Sequence, residues 1–412
     1  MTGRQRPERR WPVSGATGLS KERLDRMHTV LAGHAERGGV PGLVAAVDRD
    51  GDEHVEVLGG LAAAGGEPMR RDTLFRIASM SKPVTAVAAL TLVEECVLRL
   101  DDPVDDLLPE LAGRRVLRRP DGELDDTEPA ARPITLRDLL TFRLGYGLVM
   151  LPPSAPIARA MADRGIDVRP PRADHPAPDE YLRRLGELPL LHQPGAGWLY
   201  HTGSAVLGVL LARACGKPLG EVLRERVLEP LGMRDTGFTV PADGLHRLPV
   251  EYLRDPGSGR LVPYDDPADS AWARPAAFDD GGADLVSTVD DYLAFARMLL
   301  GGGSHGGVRI LSRPAVELMT TNQLTPAQLA GSAPLLGRED LTGWGFGVSV
   351  TTTRTGLAAP GRYGWDGGLG TTWFNDPAER LTGVLLTQRM FESPAPPPVA
   401  RDFEVLAYQA VA

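Results

Sequence analysis

Strand-like segments lie at the two ends of this 412-residue chain and are nearly missing from its middle. Near the start, "GLVAAVDRDG" and "HVEVLGGLAA" read as two strands joined by an Asp-Gly turn, which is a hairpin signal. Near the end, "GWGFGVSVTTTR", "GRYGWDGGLGTTWFND" and "LTGVLLTQR" read as antiparallel strands. Strands this far apart in sequence bury their faces most economically in one sheet. The expected architecture is therefore α+β: an α/β domain from 17–105 and 279–412, with 106–278 inserted as a mainly helical domain. "LSKERLDRMHTVLAGHAERG" and "PVARDFEVLAYQAV" carry apolar residues at helical spacing and are predicted to cover the sheet. Residues 1–16 are basic, lack an apolar run and read as a disordered tail rather than a secretory signal.

The middle holds short helical patterns, "TLRDLLTFRL", "PDEYLRRLGEL" and "SAVLGVLLARACG". Two stretches, 118–133 and 150–178, are rich in Pro and charge and read as long loops of the kind that shape pockets. A net charge of -9 argues against a nucleic-acid partner. The longest apolar stretch is broken by Glu94 and Glu95 and is too short for a membrane span. Cys96 and Cys215 cannot form a disulfide framework; they read as helix-packing residues in a cytoplasmic protein. The eight histidines show no metal-ligand spacing, and no cofactor motif is present. "GGSHG" (302–306) matches a nucleophile elbow, but a helical pattern precedes it where a strand is required, so it reads as a loop. No motif fixes an oligomeric state.

The chemistry-bearing stretch is "FRIASMSKPV" (75–84). Pro83 is tolerated only in a first helical turn, so the helix running to Leu100 must begin close to Ser79. Ser79 and Lys82 are then on one face, whereas Ser81 points elsewhere. A serine hydroxyl attacks only when a base takes its proton. A lysine amine can do so if burial lowers its pKa. The pair alone also fits a helix cap followed by a solvated lysine.

"FRIASMSKPVTAVAALTLVEECVLRLDDPV" resembles the nucleophile segment of the penicillin-recognising serine hydrolases. The resemblance is to the class C β-lactamase-like branch and, within it, to family VIII carboxylesterases. "PITLRDLLTFRLG", "PGAGWLYHTGSAVLGVLLARACGKPL", "EPLGMRDTGF" and "GGADLVSTVDDYLAFARMLLGGG" follow in the family's order. The resemblance implies a β-lactamase/transpeptidase-like fold: an antiparallel sheet flanked by terminal helices, with an inserted α domain. It further implies an acyl-enzyme on Ser79, with Lys82 and Tyr200 as proton-transfer groups and the N–H groups of Ser79 and Gly368 as oxyanion hole. In Tyr200-His201-Thr202, Thr202 stands where the family has asparagine and lacks its amide. Trp365-Asp366-Gly367 replaces the family's Lys-Thr-Gly, so neutral esters or amides are expected in place of carboxylate-bearing substrates. Trp365, Asp366, Gly367 and Thr202 are candidate substrate contacts. His201 is a candidate pocket residue weighed against a packing role, as are Trp344 and Phe346. The predicted activity is that of a serine hydrolase acting on a small-molecule ester or amide without metal or cofactor. The alternatives are an acyltransferase, a D-aminopeptidase or carboxypeptidase, and a non-catalytic binding module.

Overall fold

The computed structural model describes residues 18–63, 66–148, 151–166, 175–332 and 342–412. The tail expected over 1–16 lies outside them. Both ends of the chain enter one antiparallel sheet made of β1 (Gly42–Arg49), β2 (Asp52–Gly59), β3 (Ser349–Val350), β4 (Tyr363–Gly367), β5 (Thr371–Asp376) and β6 (Leu381–Thr387). Their order is β3-β4-β5-β6-β1-β2, so β1 and β6 join the two halves along seven paired positions. Asp50 and Gly51 both have left-handed φ, 54° and 86°, and close a two-residue turn whose twist matches the hairpin.

Alternation along β1 and β6 divides the core. Val44, Ala46, Val384 and Leu386 face a large cluster that also contains Val84, Leu139 and Leu207. Leu43, Ala45, Val47, Leu381 and Leu385 face a second cluster with the terminal helices α1 (Lys21–Glu36) and α5 (Pro398–Gln409). Burying each Leu or Val contributes about 1.5–3 kcal/mol, enough for the pattern to fix the register. The first cluster is built around α2 (Ser81–Glu94), α3 (Thr202–Cys215) and α4 (Val289–Leu300).

Three expectations change. The stretch 150–178 contains a helix, Pro156–Asp163, whose proline sits in the first turn and whose Ile157, Ala160 and Met161 are buried on one face. The 118–133 stretch contains a strand, Thr127–Pro129, paired with Arg115–Leu117. Cys96 is exposed beyond the end of α2 with φ of 60°, so it does not pack in a helix; Cys215 is the last residue of α3. "GGSHG" follows α4 and holds the two-residue strand Ser304–His305, paired with Val308–Arg309, so no helix follows the serine. No helix among the described residues is long and apolar enough to cross a membrane.

Candidate active site

α2 is buried around its whole circumference from Ser81 to Leu92. A helix without a polar face is packed on every side, and Lys82 in its first turn is therefore enclosed too. A single 3₁₀ turn, Ala78–Met80, precedes α2, so Ser79 stands just ahead of the α-helix rather than within it. Ala78 has a φ of 43°, and this bend joins the two-residue strand Phe75–Arg76 to the helix. The i, i+3 relation survives: Lys82 Nζ lies 2.8 Å from Ser79 Oγ. Ser81 points away, donating to the Ala78 carbonyl (2.7 Å) and accepting from the Leu285 N–H (3.1 Å).

Lys82 Nζ has two further partners, the Gly282 carbonyl at 2.6 Å and His201 Nδ1 at 3.2 Å. It also lies 4.8 Å from the centre of the Tyr200 ring. Burial lowers its pKa to about 7, against the opposing pull of the Asp280 and Asp284 carboxylates. His201 is buried; loss of solvent, then the Lys82 charge, lower its pKa and keep the imidazole neutral. Its Nε2 lies 3.3 Å from Asp280 Oδ2. Burial pushes the Asp280 carboxyl up, but the hydrogen bond from His201 and the Lys82 charge hold it below the usual range. Asp280 Oδ1 accepts from the Gly282 N–H at 2.7 Å, tying the carboxylate to the loop that supplies the Lys82 carbonyl partner.

Tyr200 and His201 lead into α3. The phenol oxygen accepts a 2.6 Å hydrogen bond from the Trp365 indole N–H. Tyr200, Trp365, Phe142, Trp198 and Trp344 form one aromatic cluster, with Trp344 perpendicular to Trp365 at 4.7 Å. Trp344 and Phe346 are fully buried, so core packing accounts for both.

Ser79 opens into a cleft of about 380 Å³ shared by Tyr200, His201, Trp365, Asp366 and Gly368. Leu148, Leu369, Met390 and Phe391 give it an apolar wall. Two expected contacts lie elsewhere. Thr202 is buried and hydrogen-bonds Tyr181, so its hydroxyl does not face the cleft. At Gly367 a Cβ would sit 2.3 Å from the Ile77 carbonyl and 2.2 Å from Thr371 Oγ1. The close approach there is made by the nucleophile segment's own backbone, not by a ligand. Asp366 borders the cleft and accepts a hydrogen bond from Thr372. Sequence reasoning missed Asp280 and Gly282; the signal was "FDDGGADL", acids and glycines just ahead of the short strand Val286–Ser287.

The Beta-lactamase family model matches residues 27–407. Protein Rv1367c of Mycobacterium tuberculosis is 42% identical over 333 residues, covering 78% of this chain and 79% of that protein. Esterase EstB of Burkholderia gladioli is 34% identical over 384 residues, covering 86% and 88%. The solved structure of EstCE1, described as a hydrolase with promiscuous acyltransferase activity, superposes with a TM-score of 0.75 at 26% identity, covering 95% of this chain and 98% of that one.

Proposed function

The chain belongs to the β-lactamase family, and on that footing we propose that it is a serine hydrolase cleaving a neutral ester or amide through an acyl-enzyme on Ser79. The observation that carries this reading is the buried Lys82 amine, 2.8 Å from Ser79 Oγ and with a pKa near 7. Half-deprotonated at neutral pH, Lys82 takes the Ser79 proton as Oγ bonds to the substrate carbonyl carbon. The carbonyl electron pair moves onto oxygen, where the N–H groups of Ser79 and Gly368, both at the cleft, hold it. As the tetrahedral intermediate collapses, the proton on Lys82 passes to the leaving group through the Tyr200 hydroxyl. Trp365 fixes that hydroxyl by donating to its oxygen. Water then attacks the acyl-enzyme, and its proton returns by the same route to restore Ser79.

The apolar wall of Leu148, Leu369, Met390 and Phe391 favours an uncharged, apolar acyl or alkyl group. Asp366 and Glu392 at its rim disfavour carboxylate substrates, which argues against peptide C-termini. Two free cysteines fit a reducing, cytoplasmic setting. Ser79→Ala should abolish both p-nitrophenyl butyrate turnover and fluorophosphonate labelling; a retained rate would move the chemistry elsewhere.

Acyl transfer to an alcohol or amine is a second reading. It is favoured by the similarity to EstCE1, described as a hydrolase with promiscuous acyltransferase activity. Adding a primary alcohol during turnover and measuring new ester against free acid separates the two.

A further inference from the structure

The neutral form of Lys82 has two N–H bonds and one lone pair. Three atoms surround Nζ: the Gly282 carbonyl oxygen, His201 Nδ1 and Ser79 Oγ. Gly282 can only accept. His201 Nε2 faces the Asp280 carboxylate, which also only accepts, so Nε2 carries the imidazole proton and Nδ1 presents a lone pair to Lys82. Both amine hydrogens are thereby taken, and the remaining lone pair is left to the Ser79 hydroxyl. We propose that His201 is a positioning residue which, held in one tautomer by Asp280, orients the neutral Lys82 amine so that its lone pair meets Ser79. This rests on Ser79 being the nucleophile.

The backbone at His201 supports the assignment independently. Its φ of 85° and ψ of -66°, with the Thr202 N–H reaching the Tyr200 carbonyl at 3.3 Å, describe a γ-turn that L-residues rarely adopt. Such a conformation is strained and persists where something else requires it. Here it delivers the imidazole between Lys82 and Asp280, which a relaxed turn would not do. Further ionisable groups facing the array are Asp284 and the Tyr200 phenol toward Lys82, His175 toward His201 and the Tyr181 phenol toward Asp280.

The test uses the full chain, with melting temperature certifying the fold. His201→Phe keeps a ring and removes both nitrogens. It should lower kcat on p-nitrophenyl butyrate about 10- to 100-fold, the factor carried by one charge-assisted hydrogen bond, with little change in KM. The acidic limb of kcat/KM should move to lower pH, because the ammonium loses an acceptor. His201→Asn tolerates positive φ and returns an acceptor oxygen, so it should recover kcat to within about fivefold. Asp280→Asn, keeping its oxygen on the Gly282 N–H, puts an amide N–H against Nε2, forces the other tautomer and should lose kcat as His201→Phe does. A His201→Phe enzyme within threefold of wild type, or an asparagine variant no better than the phenylalanine one, overturns the proposal. If His201→Phe does not fold, full activity in Asp280→Asn overturns it equally. Retained turnover in Ser79→Ala would instead overturn the acyl-enzyme reading beneath it.

Discussion

Lys82→Met should inactivate the protein and change its stability in opposite directions at two pH values. In the folded chain the Lys82 pKa falls from the ordinary 10.5 to about 7 because the amine is fully enclosed. The unfolded chain therefore binds more protons than the folded one between these values, and wild-type stability rises with pH across that window. Integrating the linkage, retaining the amine costs wild type about 4 kcal/mol at pH 7 and about 1 kcal/mol at pH 10. Methionine has similar length and no charge to desolvate, so this cost disappears. Against it, the Gly282 carbonyl, His201 Nδ1 and Ser79 Oγ lose a partner. At about 1 kcal/mol each, that loss does not depend on pH in this range. The variant should be about 1 kcal/mol more stable than wild type at pH 7 and about 2 kcal/mol less stable at pH 10. Urea unfolding of both proteins at the two pH values measures the difference, and groups that titrate alike in both cancel. A stability difference that stays constant with pH would refute the argument, since it would mean that Lys82 is not neutralised by folding.

The same amine should set the pH profile: kcat/KM for p-nitrophenyl butyrate should climb with pH up to about 7 and level off above it, and a flat profile from pH 5 to 9 would count against Lys82 as base. Trp365→Phe keeps the ring in the aromatic cluster but removes the N–H on Tyr200, so kcat should fall about tenfold with KM nearly unchanged. Gly367→Ala drives a methyl into the Ile77 carbonyl two residues before Ser79, and should cost about 2–3 kcal/mol of stability together with a loss of kcat. Wild-type values on both measures would show that the strand relaxes without disturbing the nucleophile.

Features set by neighbours in sequence could be read directly. Asp50–Gly51 announced the hairpin. Pro83 placed the helix start to within two residues, and the Ser79–Lys82 distance follows from helical spacing alone. What could not be read is what makes the lysine reactive. His201 lies 119 residues from Lys82, and the Gly282 carbonyl lies 200 residues away. No periodicity reports which loops close over a side chain, so burial and the resulting pKa belong to tertiary convergence. The same gap explains Gly367 and Thr202. Each was placed by its neighbours in a motif, yet its surroundings are set by Ile77 and Tyr181 from other parts of the chain.

His201 shows the consequence for reading such a site. In the sequence it is an ordinary histidine beside a tyrosine; its positive φ and its contacts with Lys82 and Asp280 set it apart from a packing residue. A glycine at this position would have taken the turn without strain. A histidine there is consistent with a demand on the side chain rather than on the backbone. That demand is for an acceptor aimed at an uncharged amine, held by a carboxylate that a solvent-facing histidine would not need.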